Sequence, residues 1–121
     1  NTLAVAAYLE DEATQGIQGP EPSPFLIVPN LDPWGQLENR AEESGSIYIY
    51  TRRGDEWAQR AYIKASNAQA GDEFGSSLAL NGDGRLMAVA AHNEDGSATG
   101  LNGDQADNSA SESGAVYIFT Y

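Results

Sequence analysis

Phe74–Ala91, which reads FGSSLALNGDGRLMAVAA, and Glu112–Phe119, which reads ESGAVYIF, together decide the fold of this chain. The Asn81–Gly84 turn between two apolar runs is a strong signal for a β-hairpin. The run of β-branched and aromatic residues after Gly114 favours a third strand. This stretch therefore predicts antiparallel β structure.

Both parts of the stretch recur earlier in the chain, in the same order. Met87–Asp95 (MAVAAHNED) is echoed by Leu3–Asp11 (LAVAAYLED), and Glu112–Thr120 (ESGAVYIFT) is echoed by Glu43–Thr51 (ESGSIYIYT). A repeat of about 40 to 80 residues built from short strands is typical of propeller blades or arrays, in which one unit cannot bury its apolar faces alone. Because the closing runs are apolar on both faces, we expect both faces to be covered.

Several motifs of the chain resemble a known repeat. Phe74–Gly75, the Asn81–Gly84 turn, the small-residue strand after it and the Ser113–Phe119 strand are similar to an FG-GAP repeat, the blade unit of integrin α-chain-like β-propellers. Trp57–Ser66 resembles the outer strand of the bacterial form of that repeat. The resemblance implies an all-β fold of antiparallel four-stranded blades. It would be an incomplete propeller of about six strands, since a whole propeller has about four to eight blades.

The repeat divides the chain into two units. We expect residues 1–65 to hold the second to fourth strands of one blade, with a long loop insert at residues 9–42. Residues 66–121 are expected to hold the first to third strands of the next blade. All five prolines lie in the loop insert, so we expect it to be irregular and to form no regular pairing. From this division we expect the chain to be an excerpt of a longer polypeptide.

Composition excludes several classes of function. A net charge of −12 with only six Lys and Arg residues argues against nucleic-acid binding, which needs clustered cations. No apolar run is long enough to predict a membrane span. The chain has no cysteine and a single histidine, His92, so neither a zinc site nor a catalytic triad is expected and we predict no enzyme activity.

The loop from Asn93 to Ser113 is rich in Asp, Asn, Ser and Gly and is the best candidate for a metal site. Calcium takes about six to eight oxygen ligands, and an acidic chain gains from the neutralisation of close carboxylates. The alternative is that the same side chains form Asx turns with their own backbone. The predicted calcium ligands are Asp95, Asn102, Asp104, Asp107 and Asn108.

An apolar group lies inside the proline-rich insert. It either folds back on its own blade as a small satellite cluster or forms an exposed contact site for a partner or a neighbouring subunit. Both interpretations are open at this point. The predicted contact residues are Phe25, Leu26, Ile27, Val28 and Trp34.

Arg53–Asp55 spells the integrin-binding tripeptide Arg-Gly-Asp. Gly followed by Asp between two apolar runs is also what a tight hairpin turn requires, since Gly tolerates a positive φ and Asp bonds its own backbone. We therefore interpret the tripeptide as a turn.

The resemblance implies a non-catalytic extracellular module, secreted or at the cell surface, that presents loops to a protein or a glycan. The remaining blades would come from the same or neighbouring chains. The alternative is a subunit of a multi-chain assembly that is completed by strand pairing with its neighbours. A second alternative is an enzyme with a central-channel site outside this excerpt.

Overall fold

The computed structural model describes residues 1–11, 17–18 and 41–120, and all the regular secondary structure in those ranges is β-strand. This confirms the all-β prediction. The strands are β1 (Thr2–Ala7), β2 (Ile17–Gln18), β3 (Ser46–Arg53), β4 (Glu56–Ile63), β5 (Phe74–Leu80), β6 (Leu86–Ala91) and β7 (Ala115–Thr120).

The strands form two antiparallel sheets. The first sheet has the order β1-β3-β4-β2 and the second has the order β5-β6-β7. The β3–β4 hairpin turns at Gly54 and Asp55, as interpreted from the Arg-Gly-Asp tripeptide. The β5–β6 hairpin turns at Asn81, whose Oδ1 accepts hydrogen bonds from the backbone of Arg85 and Leu86. The two turn signals in the sequence thus both mark hairpins.

The first sheet also corrects a prediction about the loop insert. Residues 9–42 were expected to form no regular pairing, yet Ile17 and Gln18 pair antiparallel with Ile63 and Tyr62. These two residues precede the first proline, Pro20, so their backbone N–H groups are available to a neighbouring strand. β2 therefore supplies the first sheet with a fourth strand.

The repeat seen in the sequence is also a repeat of strand register. Val5 of β1 lies opposite Tyr48 of β3, and Val89 of β6 lies opposite Tyr117 of β7. The sequence repeat aligns Val5 with Val89 and Tyr48 with Tyr117. The sequence repeat likewise aligns every other residue pair between β1 and β3 with a residue pair between β6 and β7.

The hydrophobic core lies between the two sheets. The ring of Phe74 meets Tyr117 and Phe119 edge-on, with ring centroids 5.3 and 6.0 Å apart. Full burial of an aliphatic or aromatic side chain stabilises the fold by about 1.5 to 3 kcal/mol. The large aliphatic and aromatic side chains that are fully or almost fully buried are Ile47, Ile49, Ile63, Phe74, Met87 and Val89.

The outer face of β7 is open. Val116 is 67% exposed and Ile118 is 59% exposed, whereas the equivalent Ile47 and Ile49 of β3 are buried in the core. The expectation that both faces of these strands are covered holds for β3 and is wrong for β7. The reason is that the second sheet covers this face of β3, while no described element covers the same face of β7.

Candidate functional site

The loop from Asn93 to Ser113 is closed at its base by the Glu94–Asp95 pair. The carbonyl oxygen of Glu94 accepts a hydrogen bond from Gly114 N at 2.8 Å, which joins the two ends of the loop. The Oδ1 atom of Asp95 accepts a second bond from Glu112 N at 2.8 Å. Asp95, one of the predicted calcium ligands, therefore stabilises the loop entrance.

The first sheet uses the same closure. The carbonyl oxygen of Glu10 accepts a bond from Gly45 N at 2.9 Å, and Asp11 Oδ1 accepts one from Glu43 N at 2.9 Å. Glu43 has a φ of 55°, and its equivalent in the second sheet, Glu112, has a φ of 52°. The acidic pair after each Ala-rich strand is thus a repeated structural element.

Two more of the predicted calcium ligands form Asx turns, as the alternative interpretation requires. Asp104 Oδ1 accepts a hydrogen bond from Ala106 N at 2.9 Å, and Asp107 Oδ1 accepts one from Ser109 N at 3.1 Å. The hydroxyl of Ser97 donates to Asp107 Oδ2 at 2.6 Å. This hydrogen bond and those from Ser109 hold the pKa of Asp107 below its usual range, because they stabilise the charged form.

The remaining two predicted ligands are amides. Asn102 adopts a left-handed backbone conformation with a φ of 56°, and the Nδ2 atom of Asn108 donates to Gln69 Oε1 at 2.7 Å. Within the described ranges, no group of three or more His, Cys, Asp or Glu side chains is placed to hold a metal ion. Calcium binding by this loop stays a prediction.

Side-chain contacts attach this loop to the linker between β4 and β5, residues 64–73. Ser66 Oγ donates to Gln105 Oε1 at 2.6 Å, and Asn67 Nδ2 donates to the carbonyl oxygen of Gln105 at 3.1 Å. The bond from Asn108 to Gln69 is a further contact of this kind. Residues 98–109 are exposed all along this surface. The loop is therefore held in place at its base and presented to solvent along its length.

A cluster of buried acidic groups lies beneath the loop. Glu94 and Asp72 are each only 4% exposed. Glu94 accepts hydrogen bonds from Asn67 Nδ2 at 2.9 Å and from the hydroxyl of Tyr117 at 3.2 Å. Burial, together with the negative charge of Glu94, raises the pKa of Asp72 to about 6, although a hydrogen bond from Gln69 N opposes the shift.

The first sheet balances the equivalent carboxylate with a cation. Lys64 is almost fully buried, and its Nζ atom donates to Glu10 Oε2 at 3.0 Å and to Ser44 Oγ at 2.8 Å. The hydroxyl of Tyr62 donates to the same Glu10 oxygen at 2.7 Å. Burial and this hydrogen bond raise the pKa of Tyr62 well above its usual value, since both favour the neutral phenol.

Sequence reasoning missed the roles of Lys64 and Asp72. A lysine inside the otherwise apolar run Ala61–Ala65 was the available signal, because a buried ammonium needs an anionic partner. The repeat, which aligns Glu10 with Glu94, would have identified that partner. No such signal marks Asp72.

The single histidine lies at the edge of the loop. His92 Nδ1 is 3.6 Å from Glu73 Oε2, and more than half of the imidazole side chain is exposed. This arrangement is an ion pair when the imidazole is protonated.

The predicted contact group of the loop insert, formed by Phe25, Leu26, Ile27, Val28 and Trp34, lies outside the described residues. The choice between a satellite cluster and a partner contact therefore stays open.

Comparison with known proteins identifies one family. A family model described as the FG-GAP repeat matches residues 57–119, from the start of β4 almost to the end of β7. No curated protein and no solved structure matches the chain. None of the described residues belongs to a helix long and apolar enough to span a membrane.

Proposed function

The chain belongs to the FG-GAP repeat family, and from this premise we propose that it is a non-catalytic extracellular module that binds a protein or a glycan through the loop from Asn93 to Ser113. FG-GAP repeats suggest a β-propeller-type binding module, and they are generally non-catalytic and typically extracellular. The observation that carries the proposal is the exposure of this loop to solvent along residues 98–109.

The loop has the properties of a contact surface. Residues 98–109 are exposed without interruption, and Leu101 is 93% exposed. Gln105 accepts a hydrogen bond from Ser66 of the linker and Asn108 donates one to Gln69, and these bonds hold the loop in place before any partner arrives. A surface that is already ordered loses less conformational entropy on binding, and this favours affinity.

We further propose that the two sheets are parts of successive propeller blades. Residues 1–65 would contain the second, third and fourth strands of one blade, and residues 66–121 the first, second and third strands of the next. The neighbour relations β1-β3-β4 and β5-β6-β7 support this division. The packing of Phe74 between the two sheets also supports it, because blades stack face to face.

The alternative function, a subunit of a multi-chain assembly, is favoured by one observation. Val116 and Ile118 present an apolar face of β7 to solvent, and exposed apolar faces of this kind often mark contacts with another protein. In such an assembly, strand pairing with neighbouring chains would complete the structure and cover this face, without using the loop.

Binding to an array of glycans and secreted proteins tests the loop proposal. We expect the chain to bind a component of the array and the Leu101→Ala variant to lose about tenfold in affinity, because an exposed apolar side chain at a contact centre contributes strongly to binding. Arg53→Ala, at the end of β3 beside the turn into β4, is the matched control and should bind as the wild type does. Loss of binding in Arg53→Ala but not in Leu101→Ala would move the contact to the hairpin turn and contradict the proposal.

A further inference from the structure

The chain contains four places where an Asn or Asp residue directly precedes a glycine. In such a dipeptide the backbone nitrogen of the glycine can attack the Cγ atom of the preceding side chain and close a five-membered succinimide ring. Glycine favours the attack because it has no Cβ atom to hinder the approach. The surroundings of each side chain then decide which dipeptide reacts. The four are Asn81–Gly82, Asp83–Gly84, Asp95–Gly96 and Asn102–Gly103.

Three of these side chains are held by hydrogen bonds from the backbone. In the β5–β6 hairpin, Asn81 Oδ1 accepts two such bonds, at 2.9 and 3.0 Å, and Asp83 Oδ1 accepts one at 3.0 Å. Asp95 Oδ1 accepts a bond from Glu112 N at 2.8 Å. Ring closure requires the Cγ atom to turn towards the nitrogen of the glycine, so these bonds must break first. The three dipeptides are therefore protected by the fold.

The side chain of Asn102 is the exception. In the part of the chain that the structure describes, no hydrogen bond involves any residue of the segment 98–103, and all of these residues are exposed. Asn102 also has a left-handed backbone with a φ of 56°, which is an unfavourable conformation for a residue with a Cβ atom. No hydrogen bond therefore opposes the rotation that brings the Asn102 carboxamide to Gly103 N.

Packing explains why a glycine follows Asn102. A Cβ atom on residue 103 would overlap the Cβ atom of Ala98. Gly103 has no positive φ, so this position requires the absence of a side chain rather than an unusual backbone conformation. A larger residue, which would slow the attack on Asn102, cannot be placed here unless the loop moves. The reactive dipeptide is thus part of the packing of the loop.

Three further asparagines are less suited to the reaction. Asn67, Asn93 and Asn108 each donate a side-chain hydrogen bond. Each of them also precedes a residue that has a Cβ atom, and this atom hinders the approach of the backbone nitrogen. Asn102 therefore combines the reactive sequence with a free side chain.

We propose that Asn102 is a site of spontaneous deamidation that alters the contact loop. The nitrogen of Gly103 gives up its proton and forms a bond to Asn102 Cγ, and the side-chain amide leaves as ammonia. Water then opens the ring and gives aspartate or isoaspartate, so the step needs neither an enzyme nor an oxidant. Each product carries one negative charge more than asparagine, and isoaspartate adds one methylene group to the main chain.

The modification changes the loop contact proposed above, and this part of the inference rests on that proposal. Leu101, the proposed contact residue, directly precedes Asn102 and is 93% exposed. An additional methylene group in the main chain displaces Leu101 from the position that the bonds of Gln105 and Asn108 to the linker maintain. The loop is then no longer ordered for its partner, which lowers the affinity.

Incubation of the folded chain at mildly alkaline pH, followed by peptide mapping with mass spectrometry, tests the site. We expect Asn102 to convert about tenfold faster than Asn81, because two hydrogen bonds must first break at Asn81. The same incubation in urea should bring the two rates together, since both residues precede glycine and the fold alone distinguishes them.

Asn102→Gln is the matched control for the effect on binding. A glutamine here would have to close a six-membered ring, which forms more slowly, so the mass of this peptide should not change during the incubation. The incubated wild type should bind its component of the array about tenfold more weakly than the fresh wild type. The fresh and incubated forms of Asn102→Gln should bind with equal affinity.

Two outcomes would overturn the proposal. Conversion of Asn102 no faster than that of Asn81 in the folded chain would remove the site, and conversion of Asn102 without any loss of affinity would remove its effect on the loop contact. If the fresh wild type binds no component of the array, the loop contact itself is contradicted, whereas the mass measurement still decides whether Asn102 is the modified residue.

Discussion

At the scale of single residues, Glu10 and Glu94 show how one position can be stabilised in two ways. Glu10 faces the ammonium of Lys64 at 3.0 Å, whereas Glu94 lies near Asp72 and accepts bonds from neutral groups. A buried carboxylate without a cation is costly, and one response is the uptake of a proton by the acidic cluster. The raised pKa of Asp72 is that response.

The protonation of Asp72 predicts a pH dependence of stability. Its pKa is about 6 in the folded chain and about 3.9 in an unfolded chain, so the protonated form favours folding. This stabilisation is fully present below about pH 3.9 and is lost as the pH rises through about 6, with a total of about 2 to 3 kcal/mol. Urea unfolding of the wild type and of Asp72→Asn across this range measures it.

Asp72→Asn should remove most of this decline, because an amide cannot titrate and can still accept the bond from Gln69 N. Asp83→Asn, at an exposed turn position, is the matched control and should keep the wild-type slope. An Asp72→Asn variant that declines as steeply as the wild type would show that another group titrates.

At the scale of elements, β5 joins the two sheets. It pairs with β6 in its own sheet and packs against β1 and β3 of the other. At its start, Glu73 N donates to Glu43 O at 3.0 Å and Phe74 N donates to Ser44 O at 2.9 Å. Because this backbone contact leaves no space for a side chain on the facing residue, Gly45 is required at the entrance of β3.

Substitution of two glycines with alanine distinguishes the destabilisation caused by close contact from that caused by backbone strain. Gly45 and Gly54 both have a positive φ, of 80° and 60°, but a Cβ on Gly54 would meet no atom within 4 Å. We expect Gly54→Ala to lower the free energy of unfolding by about 1 to 2 kcal/mol, from the left-handed backbone alone. Gly45→Ala should lose about 1 to 3 kcal/mol more, because overpacking against Phe74 adds to the strain. Equal losses in urea unfolding would contradict the close approach of β5.

At the scale of the whole molecule, the charge is strongly one-sided. The chain carries 18 Asp and Glu residues against six Lys and Arg residues, for a net charge of −12. Lys64 is buried against Glu10, so it is not available to balance the acidic surface. Such a charge disfavours the compact state by self-repulsion, and any cation in solution relieves part of it. The effect of calcium on stability must therefore be compared with the effect of sodium.

The calcium hypothesis predicts an effect beyond this screening. At equal ionic strength, calcium chloride should raise the melting temperature above the value in sodium chloride, and EDTA should reverse the increase, because a ligand that binds only the folded chain stabilises it. Asp104→Ala together with Asp107→Ala should abolish the difference between the two salts. Glu42→Ala together with Glu56→Ala, which removes two exposed carboxylates outside that loop, should retain it. Equal melting temperatures of the wild type in the two salts would remove calcium from the proposal.

The sequence by itself determined the strands, the hairpins and the register of the repeat. These depend on local patterns: apolar runs, turn residues at Asn81 and Gly54, and two pairs of similar sequence segments. Such patterns can be recognised in the sequence without knowledge of the fold. It also determined the acidic surface and the family. β2 was missed because two residues are too few to carry a pattern.

Only the tertiary structure decided which polar groups meet. Lys64 and Glu10 are 54 positions apart, and the sheet pairing that joins them is not local. The same holds for the cluster of Asp72 and Glu94 beneath the loop. The packing of β5 against β3 likewise decided that Ile47 is buried while the equivalent Val116 is exposed. Equal residues in a repeat acquire unequal surroundings because burial depends on the neighbouring sheet, and that neighbour is set by the packing of the whole chain.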